Sequence, residues 1–178
     1  LPVPWYFNHK MWLDMTGIEA IPLPCGPGML PDPAAARARL TPRTRAILVV
    51  SPNNPTGSWL REDDRDWLAT LCGERDLAII ADEVFADFPL RPRAGAASCV
   101  DETRALTFVL GGLSKSAGLP QVKLGWMVVS GPDAPVAQAM ERLEVIGDTY
   151  LSVSTPVQMA APALMASGRG IRALIQRR

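Results

Sequence analysis

The sequence predicts an α/β fold, a mostly parallel sheet flanked by helices. Two observations carry this. Short apolar runs at 46–50, 77–80 and 106–110 alternate with amphipathic segments. Each run is followed at once by a polar cluster, at 51–57, 82–85 and 111–116. Open α/β sheets bind ligands beyond the carboxyl ends of their strands, so three such clusters predict one shared site.

His9 to Thr16 reads as a short helix with Gly17 as its stop. Ile18 to Leu23 reads as a strand. Asp32-Pro33 is a helix start, Asp capping and Pro fitting the first turn, and Ala34 to Leu40 continues it. Ala46 to Val50 is a buried strand. Trp67, Leu68, Leu71 and Cys72 make a helical stripe inside the charged stretch from Arg61 to Asp76. Leu77 to Ile80 and Leu106 to Leu110 are further buried strands, and Leu124 to Val129 another. Asp133 caps a helix running to about Ile146. Thr149 to Pro156 is irregular, Pro156 to Ala166 is helical, and Arg169 to Arg178 starts an amphipathic helix.

At 178 residues the chain suffices for one sizeable core and is short for two ordinary domains. Lys+Arg and Asp+Glu are both 18, so no basic field exists to draw nucleic acid or an anionic membrane. No apolar run approaches a bilayer-spanning length. Three dispersed cysteines and a single histidine offer no metal-ligand pattern. Buried or half-buried thiols and a reducing cytoplasm are expected. The opening Leu1-Pro2-Val3-Pro4 resembles neither a signal peptide nor a natural start, and the last helix ends uncapped. The chain therefore reads as an interior piece of a longer protein.

Three motifs narrow the ligand: Asn54-Pro55-Thr56-Gly57, Asp82-Glu83-Val84-Phe85 and Ser114-Lys115. In this order and spacing they resemble the aminotransferase class I/II family, pyridoxal 5′-phosphate (PLP) enzymes of fold type I. The resemblance runs over essentially the whole chain, from Pro4-Trp5-Tyr6 to Thr149–Pro156. It implies the large, cofactor-binding domain of such an enzyme. The family's phosphate loop would lie upstream of Leu1 and its small domain downstream of Arg178. Lacking both, the piece is expected to bind PLP weakly and to transaminate poorly or not at all.

By this resemblance Lys115 is the amine that forms an imine with the cofactor aldehyde and then moves protons as base and acid. Asp82 pairs with the pyridine nitrogen, keeping it protonated so that the ring can accept electrons. Asn54 donates to the phenolic oxygen, and its bond to Pro55 is expected to be cis. Tyr6 stacks on the ring, with Trp5 the neighbouring candidate. Glu83 is expected to point the other way. His9 is expected to serve at the helix start or in packing rather than in catalysis.

Three positions depart from the family pattern. Phe85 stands where Tyr is usual, removing one donor and leaving an imine proton more firmly held. Gly112 stands where many members have a phosphate-binding Ser; backbone N–H groups of a glycine loop, and the Ser114 hydroxyl, are the expected substitutes. Lys123 stands where Arg usually grips the phosphate, and supplies a point charge without the bidentate fork.

The implied reaction is amino transfer from an L-amino acid to a 2-oxo acid, in a homodimer with Ser154 and Thr155 near the partner's site. Residues 82–87 also resemble carbon–sulfur β-lyases of the same fold, which leaves lyase chemistry as an alternative. A non-catalytic binding or regulatory chain is the third.

Overall fold

The computed structural model describes residues 1–89 and 95–178. Its elements are β1 (Pro2–Val3), α1 (Phe7–Met15), β2 (Leu23–Pro24), α2 (Pro33–Arg39), β3 (Ala46–Val50), α3 (Glu62–Glu74), β4 (Ala78–Asp82), β5 (Thr107–Gly112), α4 (Leu113–Ser116), β6 (Gly125–Ser130), α5 (Asp133–Thr149) and α6 (Thr155–Gln176). The main sheet has the order β3-β4-β5-β6. β3, β4 and β5 run parallel, with Val50 opposite Asp82 and Asp82 opposite Leu110. β6 is antiparallel to β5. The expected α/β architecture with a mostly parallel sheet is what the chain adopts.

The core lies on one face of this sheet. Ile47 and Val49 of β3, Ile79 and Ala81 of β4 and Val109 of β5 are buried together with Leu68, Leu71 and Cys72 of α3 and Ala36 of α2. α3 presents the predicted stripe, with Trp67 packed at its margin. Asp32 caps α2, its Oδ1 accepting from Ala35 N at 2.6 Å. At the start of α3, Asp64 Oδ2 accepts from Arg61 N at 3.1 Å and from Arg61 Nε at 2.8 Å.

The alternate residues of the same strands, among them Leu48, Ile80 and Phe108, are only half-buried. A cleft of ≈ 740 Å³ separates the amino-terminal ends of β4 and β5 from α5, lined by Leu106 and Phe108 on one side and Ala139 and Leu143 on the other. The apolar runs thus predicted the strands correctly, but burial is complete on one face only.

Three expectations are corrected. The strand over 18–23 shrinks to Leu23–Pro24, paired with Pro2–Val3. Pro22 and Pro24 have no N–H to donate, so a longer ladder is not available. The helices at 156–166 and 169–178 are one helix, α6, which runs through Pro162 and Gly168. Gly168 is its buried residue and lies against Ala117, so tertiary packing carries the helix through two weak formers. Asp133 is the first residue of α5 rather than its cap, and forms no capping bond; its charge still suits a helix amino terminus.

An ion cluster ties the approach to β5 onto α3. Glu102, 5% exposed, accepts from Arg104 Nε at 2.8 Å and Nη2 at 2.7 Å, and Arg104 Nη2 also reaches Asp66 Oδ1 at 3.0 Å. The Arg104 side chain holds the Glu102 carboxyl down at about 2, against an ordinary 4.5. The lowered value means that the folded chain favours the carboxylate more than the unfolded chain does. Its stabilisation is therefore complete above the ordinary carboxylate range and fades as the pH falls toward about 2. Glu102→Gln is predicted to unfold at lower urea at neutral pH and to lose stability less steeply through that acid window, as read from urea midpoints.

Burial pushes the Cys72 and Cys99 thiols up to about 12, while Cys25 is partly accessible. Thiolate is the reactive form. Iodoacetamide is predicted to modify Cys25 in the folded chain at neutral pH, and Cys72 and Cys99 only after denaturation, as mapped by peptide mass.

Candidate active site

The parallel register brings the ends of β3, β4 and β5 side by side. β3 leads into the turn holding Asn53 and Asn54, where Ser51 N donates to Asp82 O at 3.0 Å and binds this turn to the end of β4. Ser51–Pro52 and Asn54–Pro55 are cis, the latter as expected. Asn53 is the structural member of the pair. Its Nδ2 donates to Pro4 O at 3.2 Å and Thr56 Oγ1 at 2.9 Å, which fastens the turn to the chain before α1. Asn54 is half-buried beside it, and among the described residues its side chain makes no hydrogen bond.

β4 ends at Asp82. Its side chain is 13% exposed and is held from two directions: Val84 N donates to Oδ1 at 3.1 Å, and His9 Nε2 lies 2.9 Å from Oδ2. A half-buried carboxylate without partners would be costly, and these two contacts offset that cost. Glu83 turns to the other side as expected. Its carboxylate accepts from Ser98 Oγ at 2.7 Å and Cys99 N at 2.8 Å, and burial raises its pKa.

His9 is in the first turn of α1, consistent with the helix-start expectation, but its side chain reaches the candidate site, which that expectation missed. Its Nδ1 is buried and has no partner among the described residues. The Tyr6 ring, at the cap of α1, meets the His9 ring edge-on, with centroids 5.7 Å apart. The Tyr6 hydroxyl accepts from Asn8 Nδ2 at 3.0 Å. Helical i, i+3 spacing sets Tyr6 and His9 side by side, and that was the available sequence signal. The partner of His9, 73 residues further on, had no local trace.

β5 corrects the expected loop. Gly111 and Gly112 are not loop residues; they extend the strand and pair with Trp126 and Gly125 of β6. Gly112 suits this approach, because a Cβ there would lie 3.1 Å from Leu124 O and 3.3 Å from Gly125 Cα, tight enough that the neighbouring backbone would have to give by a few tenths of an ångström. A serine at 112 would crowd the β6 backbone, which gives a physical reason for the glycine. At Gly111 a side chain would overlap the Trp126 indole.

Lys115 then sits in the single turn of α4 and is exposed, not buried. Its Nζ lies over the Phe85 ring, 5.4 Å from the centroid, within cation–π range. Phe85 is in the turn after β4, so the amine meets the turn that begins just after Asp82. The turn is closed behind Lys115: Leu113 N donates to Leu124 O at 3.0 Å, Leu119 N to Leu113 O at 3.0 Å and Gly118 N to Lys115 O at 3.2 Å. Ser114 is half-buried, while Ser116 Oγ donates to Gly112 O at 2.8 Å. Lys123 lies in the loop that Leu113 and Leu124 close, in a left-handed conformation (φ 57°), with its side chain exposed.

Among the described residues no His, Cys, Asp and Glu side chains form a metal-binding group, and no helix is long and apolar enough to cross a membrane. The site therefore offers an amine, a carboxylate paired with an imidazole, an aromatic ring and a side-chain amide. This donor set suits a planar aldehyde cofactor with a basic ring nitrogen.

Glutamate-pyruvate aminotransferase AlaA of Escherichia coli (strain K12) is 29% identical over 177 residues, 98% of this chain and 44% of that protein. An alanine aminotransferase of Mycobacterium tuberculosis (strain ATCC 25618 / H37Rv) is 27% identical over 150 residues, 83% of this chain and 34% of that protein. The chain thus spans less than half the length of these curated relatives. A crystal structure of an aminotransferase from Escherichia coli matches with TM-score 0.81 at 29% identity, covering 94% of this chain and 41% of its own. Alanine aminotransferase from Pyrococcus furiosus shares the fold with TM-score 0.83 at 24% identity, covering 97% and 45%. The family model described as aminotransferase class I and II matches residues 1–176, and the chain belongs to that family.

Proposed function

We propose that this chain carries the PLP centre of an aminotransferase that moves an amino group from an L-amino acid to a 2-oxo acid, with Lys115 as the covalent anchor. The observation that supports the reading is the contact of Lys115 Nζ with the ring of Phe85, in the turn that follows Asp82, whose carboxylate lies 2.9 Å from His9 Nε2. When bound, the cofactor supplies an electron-accepting ring that stabilises negative charge on a substrate carbon.

The chain's own residues would do the rest. Asp82 Oδ1 or Oδ2 would accept a hydrogen bond from the ring nitrogen and hold its proton there. His9 Nε2 and Val84 N orient that carboxylate. Asn54 would donate its free amide to the phenolic oxygen. Phe85 cannot contribute a second donor at that oxygen. Tyr6 would bear on the ring face, its own ring braced by His9. Gly112, Ser114 and Lys123 border the loop that would meet the phosphate, Lys123 supplying charge. Lys115 Nζ would hold the cofactor covalently through its aldehyde carbon, the aldehyde oxygen leaving as water, and once freed by the incoming amino group would act as the base and acid that moves a proton. Residues 154–155, at the start of α6, would face the second subunit of a homodimer.

Borohydride reduction in the presence of PLP tests the anchor. The chain has three lysines, Lys10, Lys115 and Lys123, and Lys10 is paired with Asp14 at 2.7 Å. The pyridoxyl label is expected on Lys115 in large excess, and to vanish from that peptide in Lys115→Ala. Label spread evenly over the three, or favouring Lys10, overturns the assignment. Asp82→Asn is predicted to weaken PLP binding by about tenfold to a hundredfold, the loss expected for a charge-assisted hydrogen bond. Titration of the visible absorbance measures it, and unchanged affinity removes Asp82 from the site.

A further inference from the structure

The last turns of α6 pack on the turn that carries Lys115. Arg172 Nη1 donates to Ser116 O at 2.6 Å and lies 3.7 Å from Asp87 Oδ2. One helical turn on, Gln176 Nε2 donates to Asp87 O at 3.3 Å. One helical turn back, Gly168 meets Ala117 so closely that a Cβ would lie 2.8 Å from the Ala117 Cβ and 3.1 Å from Ser116 O. Gly168, Arg172 and Gln176 therefore form one face of α6, seated on residues 116–117 and on Asp87.

Those two contact points belong to the two turns of the candidate site. Ser116 follows Lys115, and Asp87 shares its turn with Phe85. With the Lys115–Phe85 contact, the interactions close a ring: Lys115, Phe85, Asp87, Arg172, Ser116 and back to Lys115. We propose that Arg172 is a positioning residue, a clasp through which α6 holds the Lys115 turn against the Phe85 turn and so orients the Lys115 amine. This rests on the reading of Lys115 given above.

The two arms of the clasp are unequal. The Asp87 side chain is 46% exposed and its ion pair is long, so that arm is screened by solvent. The Ser116 arm is a short hydrogen bond from a charged donor whose side chain is 25% exposed, and it satisfies a carbonyl at the end of a one-turn helix. Removing the guanidinium should therefore loosen the Lys115 turn more than neutralising Asp87 does.

The test uses the 178-residue chain and two readouts. The first is hydrogen exchange of the backbone over 113–118 and 84–88. The second is the rate of pyridoxyl labelling of Lys115 relative to Lys10 in the same sample. Arg172→Met is expected to raise exchange in both segments and to lower the labelling ratio by about tenfold, with the urea midpoint little changed. Arg172→Lys, which keeps a charged donor, is expected to restore most of both. Asp87→Asn is expected to raise exchange over 84–88 only, and serves if Arg172→Met folds poorly. Unaltered exchange over both segments in Arg172→Met overturns the clasp, as does equal loosening of both segments in Asp87→Asn. If the unsubstituted chain shows no preference for Lys115, the PLP reading fails, and the exchange results still decide the clasp.

Discussion

The parallel pairing of β4 with β5 is the constraint on which the site depends. Asp82 stands opposite Leu110, and Glu83 N donates to Leu110 O, so β4 gives out just where β5 still has its two glycines to run. Asp82 is thereby delivered at the carboxyl end of the sheet while Lys115 is carried into the helical turn beyond β5. Burial of Ile79, Ala81 and Val109 against α3 holds this register, because a slip by one residue would turn these side chains out of the core. The candidate site stands at the carboxyl end of the sheet, whereas the large cleft lined by α5 opens at the opposite end of the strands.

Around that edge the second layer of contacts is made by elements distant in sequence. α1 brings His9 to Asp82, the chain before α1 receives Asn53, and α6 meets the Lys115 turn. Each contact immobilises a side chain or turn that would otherwise be free beside solvent. That matters most for Lys115, which is exposed and is directed by the Phe85 ring, its own closed turn and the packing of α6 on that turn. A site of this kind gains its order from neighbours rather than from burial.

The departures from the family pattern also acquire physical meaning from their surroundings. Gly112 answers to the close approach of β6, independently of any ligand. Phe85 offers a ring face to the Lys115 amine where a hydroxyl would have offered a donor. Lys123 occupies a left-handed position that ends a tight turn, and its side chain projects into solvent from the same closed loop as Lys115.

The sheet strands, the α3 stripe and the Asp32 cap were legible in the sequence because each rests on local periodicity or a local hydrogen bond. So were the three motifs and their placement at strand ends, and through them the family. Where local signals were weak, the tertiary structure decided. The sequence read as two helices, 156–166 and 169–178, and α6 runs on through Gly168, which packs closely on Ala117. The glycines at 111 and 112 argued for a loop, and pairing with β6 made them strand. His9 looked local, and its partner lay 73 residues away. Sequence patterns report what a residue does to its neighbours along the chain. Which distant group meets it depends on how the sheet and helices close, and that is set by packing, not by any one segment.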